Sequence, residues 1–214
     1  VTTNKMIGDV HIAGSLTTDD WDNFRAMLTP GGDPAIWNKA FEDYFYTRLS
    51  LRYLAPIKVL QDNGTFRGEG FSIAAIQCSI VEFLESTVQG KSYRFRPKGA
   101  PPLTEHEYSS SSDIFVSFLI NRTPFRNDFK TEIAARDFYE GVRCGLLHEA
   151  RTKRGWTIWA KSRDGKTADT NQKVMYRDDF QTGLLCFVDW YKGDLPADKT
   201  LQEAFIRKFD SLCL

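Results

Sequence analysis

Three histidines occur in the 214 residues, His11, His106 and His148, and the last is the one placed where it could act. It lies in Phe138-Tyr139-Glu140-Gly141-Val142-Arg143-Cys144-Gly145-Leu146-Leu147-His148-Glu149-Ala150, a stretch that reads as the end of a helix. A histidine there has two roles open to it. It can move a proton near neutral pH, or it can stabilise the helix C-terminus as a cation. Arg143 precedes it by five positions, which on an ideal helix turns the two side chains roughly 140° apart. They therefore share a face only if the last turn distorts, and Gly145 makes distortion easy. His148 also falls on the side of Gly141 and Gly145, where two missing Cβ atoms let another backbone approach closely. That geometry suggests a tightly packed neighbour, such as a helix of a second subunit.

Charge gives a second set of candidates. The whole chain is balanced, with 28 bases against 28 acids, but the balance is uneven along it. Residues 151–173 carry seven bases against Asp164 and Asp169. A local positive field can bind phosphates even when the total is zero, which makes Arg151, Lys153, Arg154, Lys161, Arg163 and Lys166 candidates for holding a phosphate backbone. A solvated surface hairpin is the alternative reading of the same run. The stretch Lys91-Ser92-Tyr93-Arg94-Phe95-Arg96-Pro97-Lys98 alternates bases with rings. Single-strand binding surfaces use that mixture, rings on bases and cations on phosphates, so Tyr93 and Arg94 join the candidates. A short edge strand guarded by charges would look the same.

Other chemistry is excluded by its motifs. Gly68-Glu69-Gly70 is too short for a phosphate-binding glycine loop and follows no strand. Neither a Gly-x-Ser-x-Gly elbow nor a His-Glu-x-x-His helix occurs. Cys78, Cys144, Cys186 and Cys213 have no paired spacing, so no metal, cofactor or disulfide framework is expected. Reduced thiols in a cytoplasmic protein are the expected state. The opening residues lack the pattern of a signal peptide, and uninterrupted apolar runs fall short of the ~18 residues of a membrane span, so no membrane partner is expected.

Arg143, four intervening residues and His148 at the end of an amphipathic helix resemble the Arg-x(4–6)-His motif of the HEPN superfamily. Val142-Arg143-Cys144-Gly145-Leu146-Leu147-His148 carries the resemblance. It implies an all-α bundle, a homodimer, and a metal-independent endoribonuclease in which arginine and histidine of two protomers meet in a cleft. In that reading His148 moves the proton of a ribose 2′-hydroxyl or of the leaving oxygen, and Arg143 stabilises the phosphate. Nuclease members usually carry a polar residue after the arginine, where this chain has Cys144. The resemblance equally accommodates a non-catalytic dimer that binds RNA, a nucleotide or a protein. A third reading makes Arg143 structural, paired to Glu140 or another carboxylate.

The elements that must position these residues follow from apolar spacing. Residues 1–33 read as an irregular arm or extension, and 34–214 as one domain. Asp33-Pro34 is a strong helix start, and Ile36, Trp37, Ala40, Phe41, Tyr44, Phe45, Leu49 and Tyr53 recur at helical steps until Pro56 ends or kinks the helix. Further helices are predicted near 70–88, 113–121, 128–148, 178–191 and 198–211. The second is apolar nearly all round and so should be central. Strands are expected at 156–160 and 174–176, with Asp164-Gly165 as a turn. The fold class is therefore mainly α: a HEPN-like bundle of about five or six helices with a small β-ribbon near 156–177.

Overall fold

The computed structural model describes residues 10–65 and 67–214. It is mainly α, as the spacing predicts, with seven helices among the described residues: α1 (Thr18–Arg25), α2 (34–62), α3 (Glu69–Gln89), α4 (Ser111–Asn121), α5 (132–149), α6 (Arg177–Asp194) and α7 (Lys199–Leu212). All six helices expected from the sequence form. Asp33 caps α2 by accepting from the Ala35 N–H at 2.8 Å, with Pro34 in the first turn. Pro56 does not end that helix, which continues to Asp62. The run Ser50–Leu54 just before it is π-helical. The hydrogen-bond ladder is thus already widened where proline removes a donor and crowds the preceding turn.

The strands are short and peripheral. β1 (His11–Ala13) pairs antiparallel with β2 (Leu16–Thr17), and β3 (Ser92–Tyr93) pairs parallel with β4 (Glu107–Tyr108). The expected ribbon is a three-stranded sheet in which β7 (Val174–Tyr176) lies between β5 (Thr157–Trp159), parallel to it, and β6 (Ala168–Asp169), antiparallel.

The central helix is α3, which touches α2, α4, α5, α6, α7 and β5. By length and hydropathy alone it is apolar enough to cross a bilayer, although a few polar residues interrupt it. Inside the fold its Glu85 is fully buried. That carboxylate accepts from Arg122 Nε (2.8 Å), from Arg122 Nη2 (3.2 Å) and from Ser117 Oγ (2.7 Å) of α4, so its charge is paired and its lone pairs are used. Around α3 the core is built on rings. Phe187, Phe118, Phe125, Phe180, Phe138 and Trp156 touch in sequence at centroid distances between 4.8 and 5.9 Å. This chain of rings carries packing from α6 and α4 across to the sheet.

The N-terminal segment departs from expectation. Its residues 1–9 lie outside the described part, but 10–33 are not irregular. Thr17 and Asp20 form a reciprocal capping box at the start of α1. Trp21 is fully buried, edge-on to Tyr44 of α2 and donating its Nε1–H to Asp210 of α7 at 2.9 Å. Arg48 and Arg52 of α2 donate to the backbone oxygens of Ile12 and His11. The segment is part of the same core because Trp21, Phe24 and Leu28 have the helical spacing that the surrounding acids and turn residues obscured.

Lys208 of α7 is buried and donates to Ser86 Oγ (2.8 Å) and the Lys91 carbonyl (3.0 Å). Burial, helped by the charge of Arg48 and opposed by that of Glu82, pushes its pKa down from 10.5 to about 8. The folded state therefore releases this proton before the unfolded state does, and stability from this group rises with pH between about 8 and 10.5. Paired urea titrations should show the wild type gaining on Lys208→Met across that window. Buried thiols and phenols shift both proteins alike and cancel in the difference. Parallel stability curves would contradict the assignment.

Candidate functional site

The candidate residues are set by how α5 ends. Its middle, Tyr139–Cys144, is π-helical, and Ala150 closes it in the left-handed conformation, φ 52°. The chain then folds back along its own helix. Lys153 N–H donates to the Gly141 carbonyl at 2.7 Å and Arg151 N–H to that of Gly145 at 3.4 Å. A Cβ on Gly145 would lie 2.4 Å from the Arg151 oxygen, and one on Gly141 2.3 Å from the Trp156 ring. The glycine side, expected to face a second subunit, is filled by the chain's own return segment.

Trp156 is the anchor of that return. It is buried, edge-on to Phe138 at 5.0 Å, and donates its Nε1–H to Asp137 Oδ2 at 2.9 Å. Lys173 and Arg154 complete the cluster on Asp137, at 2.9 and 3.4 Å. Burial works to raise the pKa of this carboxyl. Hydrogen bonds from Lys173 and Trp156 and the adjoining positive charges outweigh it, and the net shift is downward.

Arg143 and His148 have different surroundings. The Arg143 side chain is mostly buried, lying 3.5 Å from Glu82 Oε2 of α3 and 5.3 Å over the Tyr139 ring. Glu82 also accepts from Tyr108 (3.1 Å) and Ser111 (2.8 Å), so this arginine belongs to a polar cluster joining α3, α4 and α5. The burial of Arg143 opposes its charge, but Tyr139, Glu82 and Cys144 hold it above its ordinary pKa. The carboxylate expected for the structural reading is thus Glu82. Glu140 is instead paired with Arg154. His148 is exposed and makes no side-chain hydrogen bond or ion pair among the described residues.

Ion pairs take most of the basic run. Arg151 and Lys153 are held by Glu149, Arg154 by Asp137 and Glu140, Lys166 by Asp164 at 2.8 Å, and Lys173 by Asp137. Lys161 and Arg163 are exposed, and their side chains have no ion pair or hydrogen bond among the described residues. These two, with Lys166, line a cavity of about 400 Å³ whose walls also include Trp159, Gln172, Tyr176, Asp164 and Asp169. Asp169 is turned onto the Asn171 and Gln172 N–H groups at 3.0 and 2.9 Å. Trp159 is 60% exposed. The face is held from below: Asp178 N–H donates to the Ala160 carbonyl (2.9 Å), and Asp179 accepts from the Ser162 N–H (2.6 Å).

Tyr93 and Arg94 lie on the separate β3–β4 pairing. Tyr93 is exposed and edge-on to Tyr108 at 5.6 Å. Arg94 is paired with Glu107 at 3.3 Å and donates to the Pro101 carbonyl. The structure therefore gathers Lys161, Arg163 and Lys166 and leaves the other candidates in separate clusters. The residue missed by sequence reasoning is Trp159. Period-two alternation in β5 puts it on the face opposite Ile158 and directly before the unpaired bases, and that was the available signal. No protein-family model, curated protein or solved structure matches this chain.

Because the return segment sits in the space of two absent side chains, Gly141→Ala and Gly145→Ala should each destabilise the fold by about 1–3 kcal/mol. Gly193→Ala is the control, since a Cβ there meets nothing within 4 Å. Urea denaturation followed by circular dichroism measures all three. Unchanged midpoints for both substitutions in α5 would contradict this packing.

Proposed function

We propose that this chain is a non-catalytic RNA-binding module whose binding face surrounds β5. The observation that carries the reading is the pair of cations without an ion pair among the described residues, Lys161 and Arg163, beside the exposed ring of Trp159 on one cavity. Stacking on an aromatic ring tolerates any base, and cations beside it track the phosphates, which is the chemistry of single-strand binding. The face is built from one chain and needs no second copy. Arg143 supports the same reading, because Glu82 and Tyr139 occupy a guanidinium that a ribonuclease would turn to phosphate.

A second reading keeps the metal-independent endoribonuclease and its HEPN-like homodimer, with Arg143 of one copy working beside His148 of the other. The exposure of His148 favours it, since a proton-transfer group must be reachable. No metal is needed for that mechanism.

Binding and cleavage of a single-stranded oligoribonucleotide, each with and without EDTA, separate the two. The module binds without cleaving, and Lys161→Ala/Arg163→Ala lowers the steepness of the salt dependence by about 1.4, roughly 0.7 for each phosphate no longer neutralised. An unchanged salt slope would sink the proposed face. EDTA-resistant cleavage that falls ~10²–10⁴-fold in a well-folded His148→Ala protein would establish the catalytic reading instead.

A further inference from the structure

Trp159 also lines a smaller cavity of about 180 Å³, together with Gly68, Glu69, Gly70, Phe71, Ile158, Ala160 and Arg177. Arg177 is its distinctive group. As the first residue of α6 it is held in place by its own backbone, whose carbonyl accepts from Gln77 Nε2 of α3 at 2.7 Å. Its side chain is only 10% exposed, and its one ion pair among the described residues runs from Nε to Asp178 at 3.6 Å. Neither Nη nitrogen makes a hydrogen bond among the described residues, and neither is fully buried. The guanidinium lines the cavity with both Nη ends unbonded among the described residues, so it can donate to an anion that enters there.

The first turn of α3 forms the opposite wall. Gly70 brings its backbone against Arg177, since a Cβ there would lie 3.3 Å from Nη1. Gly68 supplies no side-chain cap to this 21-residue helix, whose N-terminal end favours negative charge. The one acid in the lining, Glu69, is directed to the Arg67 N–H at 3.0 Å, and Asp178 is engaged by Gln61 Nε2 at 3.1 Å. Phe71 and Trp159 are both exposed at the rim.

We infer that this cavity is a phosphate subsite, in which Arg177 and the N-terminus of α3 hold the phosphate of a nucleotide whose base stacks on Trp159. The inference rests on the RNA-binding reading and extends it, because Trp159 lines both the cavity that holds Lys161 and Arg163 and the one that holds Arg177. Gly68-Glu69-Gly70, too short for a phosphate loop by itself, acquires its anion site from a residue distant in sequence.

The test uses the whole chain with two probes, adenosine 5′-monophosphate and a single-stranded oligouridylate, followed by tryptophan fluorescence. Wild type should bind the mononucleotide saturably. Arg177→Gln should weaken that binding about 10–100-fold, the loss expected for hydrogen bonds to a charged group. Ala160→Met, which fills the cavity with Arg177 retained, should do the same and serves if Arg177→Gln does not fold. Lys161→Ala/Arg163→Ala should weaken the oligonucleotide and spare the mononucleotide. Mononucleotide binding that is absent, or unaffected by both cavity variants, would overturn the subsite, and oligonucleotide binding that persists in that case would leave the RNA reading standing. A bound mononucleotide with no bound oligonucleotide would overturn the RNA reading and its assignment here.

Discussion

The close return of residues 151–156 along α5 is the constraint on which the proposed binding face depends. It exists because Gly141 and Gly145 leave room for backbone at distances no Cβ would permit. The return delivers Trp156 into the ring chain of the core, fixes it to Asp137, and so starts β5 at a defined height beside β7. With Trp156 committed inward, the strand's alternation turns Trp159 outward. One packing interaction thus decides which tryptophan is structural and which is free to meet a ligand.

The second organising feature is the row of acids on α3. Glu85 and Glu82 lie three residues apart, on neighbouring positions of one helix face. Each gathers partners from other elements: Arg122 and Ser117 for the first, and Arg143, Tyr108 and Ser111 for the second. Buried charge is stable only when paired and hydrogen-bonded, so these acids fix the placement of α4 and α5 around the central helix. The same pairing draws Arg143 into the interior. Its contacts with Glu82 and Tyr139 are therefore a consequence of how the bundle is joined. The bases of the 151–173 run divide by the same logic, those near Asp137, Glu140 and Glu149 being used in holding the turn, and Lys161 and Arg163, beyond it, remaining available.

Helical spacing made six of the seven helices legible in the sequence, and Asp33-Pro34 marked a start that the structure keeps. What was hidden depended on long-range contacts. Helix α1 is short and acidic, and its Trp21 is intelligible only with Asp210 and Tyr44 in view. The two glycines of α5 were readable as a site of close approach, but not the identity of what approaches, since a neighbouring subunit and the chain's own return make the same demand. Of the candidate site, the basic run was visible as charge. Which bases were free was not, because Glu149 and Asp137 reach them through local turns. Arg177, 107 positions after Gly70, had no local signature at all.

The most direct test of the account is the affinity of Trp159→Ala for a single-stranded oligoribonucleotide at fixed salt. Trp159 is exposed, so its removal should leave the melting temperature close to that of the wild type. The loss of one stacked base should weaken binding by about 1–3 kcal/mol, roughly 5- to 150-fold. A folded Trp159→Ala protein that binds the oligonucleotide as tightly as the wild type would contradict the claim that the β5 face is where this chain meets RNA.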